Sequence, residues 1–166
     1  MFMRSIQSLC LIQSILMKTD LSNATFIIPI RIESDDRLRN VVTSIAFLVE
    51  NFDTNIIVKE VDKESVFQTE VLPIFEEILE VDLWKNFHHI FERSEEPLFH
   101  RQRVLNEMIA ECETDIVVNY DCDVILPMKS YELAYNGITE GIYDVVYPYG
   151  SGMYQKQVAA TDHICS

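Results

Sequence analysis

The chain has 166 residues, 48% of them hydrophobic, with 27 acidic against 13 basic side chains and a formal net charge of −14. That length suits one domain with an ordinary core, and the composition is not that of a disordered chain. The acidic balance excludes nucleic acid or an anionic membrane surface as the main partner, because both demand a basic face.

In chain order, residues 1–22 read as a leader of uncertain status. Its apolar run Leu9-Cys10-Leu11-Ile12 is interrupted by Gln7, Ser8, Gln13 and Ser14. A bilayer span needs roughly 20 apolar residues, so no integral membrane segment is expected. Arg4 ahead of the run leaves a secretory signal open, but no convincing cleavage site follows. The four cysteines, Cys10, Cys112, Cys122 and Cys165, form no C-x-x-C pair. They read as free thiols in a reducing compartment, which makes the cytoplasm the expected location.

Thr25 to Arg31 is a continuous apolar run suited to a strand buried on both faces, with Pro29 marking the end of its ladder. Ser34 then supplies an N-cap, with Asp35 and Asp36 in the first turn. Leu38, Val41, Val42, Ile45, Leu48 and Val49 follow at helical spacing. A second strand is expected over Asn55 to Val61. A helix over Ser65 to Asp82 comes next, kinked or broken at Pro73. His88 to Phe91 reads as a third strand, and Leu98 to Cys112 as a helix. Asp115 to Tyr120 reads as a fourth strand, 129–139 as a helix, and Asp144 to Tyr147 as a fifth strand. Strands alternating with helices predict an α/β domain with a mostly parallel twisted sheet and flanking helices, covering residues 23–166.

In such sheets ligands bind beyond the carboxyl ends of the strands. Four polar clusters fall there: Arg31 and Glu33, Glu60 and Asp62, Glu92 and Arg93, and Asp121 with Asp123. The last pair is the strongest signal. Two carboxylates flanking one residue, released from a buried strand into a turn, can reach one hard cation, with phosphate oxygens and waters completing its shell. The same turn could simply use one Asp as a cap. Arg31 could pair with Glu33 or Asp35. Arg101 and Arg103 could form helix-surface pairs with Glu107.

The elements Pro29 to Ser34, Asp36 to Asn40, Arg101 with Leu105 and Asn106, and Val117 to Leu126 resemble the nucleotide-diphospho-sugar glycosyltransferases of GT-A fold. The likeness is to the family 2-like and galactosyltransferase-like groups and runs from about Thr25 to Tyr154. It implies a Rossmann-like GT-A fold and a nucleoside diphosphate sugar donor, with a uracil base expected. It also implies a Mn2+ or Mg2+ ion and a hydroxyl acceptor on a glycan, lipid or protein. Residue by residue, it implies that Pro29 and Arg31 lie against the nucleotide and that Glu60 bonds the base or ribose. Arg101 and Asn106 would contact or support the diphosphate, Asp121 the ribose or metal, and Asp123 the metal directly. His163 stands where some relatives of that kind place a third ligand.

Residues 124–166 are all that follow the D-x-D turn. The resemblance places acceptor binding and the base of inverting enzymes further along, so no catalytic residue is assigned. The expectation is a partner chain supplying the acceptor site, or a degenerate module that binds without turnover. A dehalogenase-type phosphatase would carry its D-x-D after the first strand. With four glycines in the chain and no G-x-G-x-x-G after a strand, a Rossmann dehydrogenase is excluded.

Overall fold

The computed structural model describes residues 18–79 and 85–148. The chain divides into two compact units, Met1–Ile125 and Leu126–Ser166.

The first unit is built on strands β1 (Thr19–Ile30), β2 (Phe52–Asp62), β3 (Phe87–Arg93) and β4 (Ile116–Asn119). All three pairings are parallel and the order is β3-β2-β1-β4. The expected α/β class, with a parallel sheet and flanking helices of Rossmann-like kind, is therefore the observed one. The apolar run of β1 explains its central place: Phe26, Ile27, Ile28 and Ile30 are all at most 2% exposed, as a strand covered on both faces requires.

The helices are α1 (Asp35–Asn51), α2 (Leu72–Ile78) and α3 (Arg101–Ala110). The chain crosses from β1 through β2 to β3 and then back past β1 to β4, and because such crossovers share one hand the reversal puts α1 and α3 on opposite faces. On one face Val104, Leu105 and Met108 of α3 pack on Ile27, Ile57 and Val61. The alternate strand positions face the other side, where Phe67 contacts Phe75, Phe87 and His89 through its ring. Ser34 caps α1 as expected, its hydroxyl accepting from the Arg37 N–H, and Val41, Ser44, Ile45, Leu48 and Val49 form the buried stripe.

Several boundaries differ from the sequence reading. β1 begins at Thr19, inside the expected leader, and Leu21 is 2% exposed. Its register against β2 slips between Asp20 and Thr25, and the carbonyls freed there accept from Asn55 and Thr54 side chains. Pro73 does not break the expected helix but sits in the first turn of α2, directly after a π-helical turn at Phe67–Val71. The wider turn absorbs the missing proline N–H, the usual effect of such a bulge. Residues 80–84, the end of that expected helix, lie outside the described residues.

The described part of the second unit holds α4 (Met128–Thr139), ended by Gly141 at φ 69° with its N–H bonded to the Ile138 carbonyl. The expected fifth strand at Asp144 to Tyr147 is not a strand: a strand exists through its ladder, and none pairs with it among the described residues. No helix among the described residues is long and apolar enough to cross a membrane.

Candidate functional site

The strand order reverses direction between β1 and β4, and that switch point is where open α/β sheets form a crevice. One residue ends the pairing there. In the β1–β4 ladder Ile27 pairs with Asn119 and its carbonyl accepts from the Tyr120 N–H at 3.1 Å. The next rung would need an N–H at position 29 donating to the Tyr120 carbonyl. Pro29 has none, so the ladder stops and the chain parts at Asp121. On its other side β1 stays paired as far as Ile30 with Glu60. Pro29 thus ends one ladder, as its sequence position suggested.

The turn that leaves β4 is anchored through its middle. Cys122 is buried and Asp121 and Asp123 on either side are exposed. The Ser44 hydroxyl of α1, itself buried, donates to the Cys122 carbonyl at 2.6 Å. The Tyr120 hydroxyl donates to the Val124 carbonyl at 2.6 Å, closing the turn from the other side. Burial pushes the Cys122 thiol above its ordinary value, with Arg37 opposing and Asp123 adding to the shift. Ser44→Ala should remove a buried hydrogen bond and cost about 1–2 kcal/mol in urea unfolding. The two aspartates would then be less firmly held, which backbone amide exchange at residues 121–124 would register.

Arg101, the first residue of α3, donates to the Asp121 carboxylate and, at 3.2 Å, to the Asn119 side-chain oxygen. It does not pair with Glu107. Asp123 makes no hydrogen bond or ion pair with any described residue. Arg31 pairs with neither Glu33 nor Asp35. Its Nε donates to the Val61 carbonyl at 2.9 Å, its Nη1 to the Pro97 carbonyl at 3.2 Å, and its guanidinium lies 5.6 Å over the Phe99 ring. These contacts strap the loop after β3 to the ends of β1 and β2. The Arg31 Nη2 is buried and has no hydrogen-bond partner among the described residues.

Glu60 is fully buried, and here the structure departs from a rim-facing role. Its carboxylate accepts from the Ser65 hydroxyl at 2.5 Å and the Val66 and Phe67 N–H groups at 2.9 and 3.1 Å, with His89 Nε2 at 3.4 Å. Burial pushes this carboxyl up, but bonds from His89, Ser65 and the Phe67 N–H outweigh it and hold it below its ordinary value. Glu60 caps the turn that follows β2 and presents no surface to a ligand. Asn106 is exposed, five residues after Arg101 and so about 140° around α3 from it. The fold does not bring Asn106 to Asp121.

Sequence reading anticipated the Arg103–Glu107 pair but missed the rest of the network behind the rim. Lys59 of β2 reaches Glu107 at 2.5 Å and Glu92 at 3.1 Å, and Arg103 bonds the same two carboxylates at 2.8 and 2.7 Å. A lysine inside the apolar run of β2 was the available signal. Arg103 and Lys59 hold Glu92 below its ordinary value against desolvation, and Lys59 and Arg103 do the same for Glu107. Depressed carboxylates stabilise the fold above their ordinary range and lose that contribution as pH falls through the folded values. The urea midpoint should therefore drop on acidification below about pH 4.5, and the drop should shrink in Arg103→Met, whose partners are less depressed.

As cation ligands, Asp121 and Asp123 supply hard oxygen donors on one anchored turn, and one or two carboxylates are what Mg2+ or Mn2+ ordinarily takes from a protein. The donor set fits such an ion. Among the described residues no group of three or more His, Cys, Asp or Glu side chains gathers to complete a shell, so water and ligand oxygens would supply the rest. His163 lies outside the described residues. Compared with family models and with curated proteins, the chain matches none.

Proposed function

We propose that the chain is the donor-binding domain of a metal-dependent glycosyltransferase of GT-A type, taking a nucleoside diphosphate sugar. The observation that carries this reading is the D-x-D turn with both aspartates exposed at the sheet's switch point, one carboxylate without a partner among the described residues and the other facing an arginine. Asp123 and Asp121 are the residues that would hold Mn2+ or Mg2+. The ion's part, when bound, is to neutralise the departing diphosphate, the dominant electrostatic demand of such transfer. Arg101 adds positive charge beside the turn, and Arg31 holds the loop after β3 against the ends of β1 and β2. Glu60 acts one step removed, by shaping the turn after β2. The acceptor is a hydroxyl on a glycan, lipid or protein, with its site in a partner chain or elsewhere in the protein.

Calorimetric titration of UDP, GDP and their sugar conjugates, with and without Mn2+, tests the reading. Metal-dependent binding of a diphosphate nucleotide is expected, with UDP preferred. Absence of binding by every nucleotide in Mn2+ would overturn it. Binding without sugar turnover would favour a non-catalytic module on the same fold.

A further inference from the structure

We infer that Arg101 is the resident counter-ion of the D-x-D turn, displaced from Asp121 when a divalent cation binds and thereby released to hold the donor's diphosphate. The inference rests on the donor-site reading and adds to it an order of events. A carboxylate oxygen engaged by a guanidinium is not free for a metal ion, and two cations do not share one carboxylate face without repulsion. Arg101 Nη2 engages Asp121 Oδ1, while Asp123 has no hydrogen-bond or ion-pair partner among the described residues, so an incoming ion meets one open carboxylate and one that already carries a positive neighbour.

The exchange is feasible because the pair is loosely held. The Arg101 and Asp121 side chains are 36% and 62% exposed, and a solvated ion pair is weak. Arg101 also keeps a second partner, the Asn119 side-chain oxygen, which can retain the guanidinium beside the turn after Asp121 is lost. Its neighbour on the helix behaves differently. Arg103 is committed to both Glu92 and Glu107, which Lys59 also binds, so it has no comparable freedom. Arg101 is the one of the two arginines whose partner would be a cation ligand. Mutual exclusion at Asp121 followed by attraction to the diphosphate makes metal and nucleotide binding cooperative, although neither needs to touch the other for Arg101 to couple them.

Mn2+ alone, followed through the electron paramagnetic resonance of the free ion, should be titrated into the wild type, Arg101→Gln, Arg103→Gln and Asp123→Asn. UDP is then titrated at saturating Mn2+. Arg101→Gln should bind Mn2+ about three- to tenfold more tightly than wild type, while Arg103→Gln, which removes the same charge from the same helix, should match wild type. UDP affinity in Arg101→Gln should fall about tenfold or more. Unchanged or weaker Mn2+ binding in Arg101→Gln, with Asp123→Asn still losing the ion, would overturn the exchange and leave the donor site standing. Absence of saturable Mn2+ binding in all four proteins, with UDP also failing to bind, would overturn both.

Discussion

Replacing Glu60 with alanine should destabilise the protein by about 3–5 kcal/mol at neutral pH, the largest stability loss expected from any single side chain at the rim. Three hydrogen-bond donors converge on this carboxylate, the Ser65 hydroxyl and the Val66 and Phe67 N–H groups, and the two backbone groups open the turn that leads into the π-helical segment. Alanine would leave those donors, on a turn that is partly to fully buried, without an acceptor. His89, stacked on Phe67 at 4.3 Å between ring centres, would lose its only anionic neighbour among the described residues. The sign with pH follows from the depressed carboxyl. The contribution is fully present above the ordinary value of 4.5 and disappears as pH falls through the lower folded value. Equilibrium urea unfolding at pH 7 measures the effect, and a loss below about 1 kcal/mol would contradict the structural role given to Glu60.

Asp123→Asn should do the reverse. Asp123 is exposed and has no partner among the described residues, so unfolding stability should stay within about 0.5 kcal/mol of wild type. Metal-dependent affinity for UDP should nevertheless fall about a hundredfold, roughly 2.7 kcal/mol, because an amide oxygen replaces the one uncommitted carboxylate on the turn. Calorimetry in Mn2+ reads the loss directly. Retention of full affinity would remove Asp123 from the ligand set. The contrast between the two variants separates a carboxylate that builds the rim from one that is presented on it.

Both residues are strand-end carboxylates in the sequence, and nothing local distinguishes them. Asp123 stood out because the turn holding it follows the run Asp115 to Tyr120, read as a buried strand; the structure makes β4 a short edge strand instead, with Val117 and Asn119 exposed and Cys122 buried between the exposed Asp121 and Asp123. The buried role of Glu60 did not stand out. Its direction is set by the alternation of β2, where Ile56, Val58 and Glu60 share a face, and by free N–H groups on the turn just after it. Chain position suggested a rim-facing carboxylate, whereas strand parity points inward. Ser44 carried a signal that went unused: a hydroxyl on the apolar stripe of α1 needs a buried acceptor, and Cys122 supplies it. Strand β1 and the Ser34 cap were readable because their causes are local. The apolar stretch at Asp144 to Tyr147 looked like a strand by pattern alone, but pairing is non-local and no pattern within the segment reports it. Asn106 was placed at the site by resemblance, and helical phase puts it on another face of α3 from Arg101.

A divalent ion and a nucleoside diphosphate that meet at the carboxyl end of β4 would leave a local magnetic signature there. Paramagnetic broadening locates the ion without reference to turnover. With UDP present and Mn2+ added at substoichiometric levels, the account predicts that backbone amides of residues 119–124 vanish first from the nitrogen–proton spectrum. Those of residues 31–33 and 100–102 should follow, while residues at the amino ends of the strands stay sharp. Uniform loss of signal across the acidic surface, or selective loss away from the D-x-D turn, would contradict it.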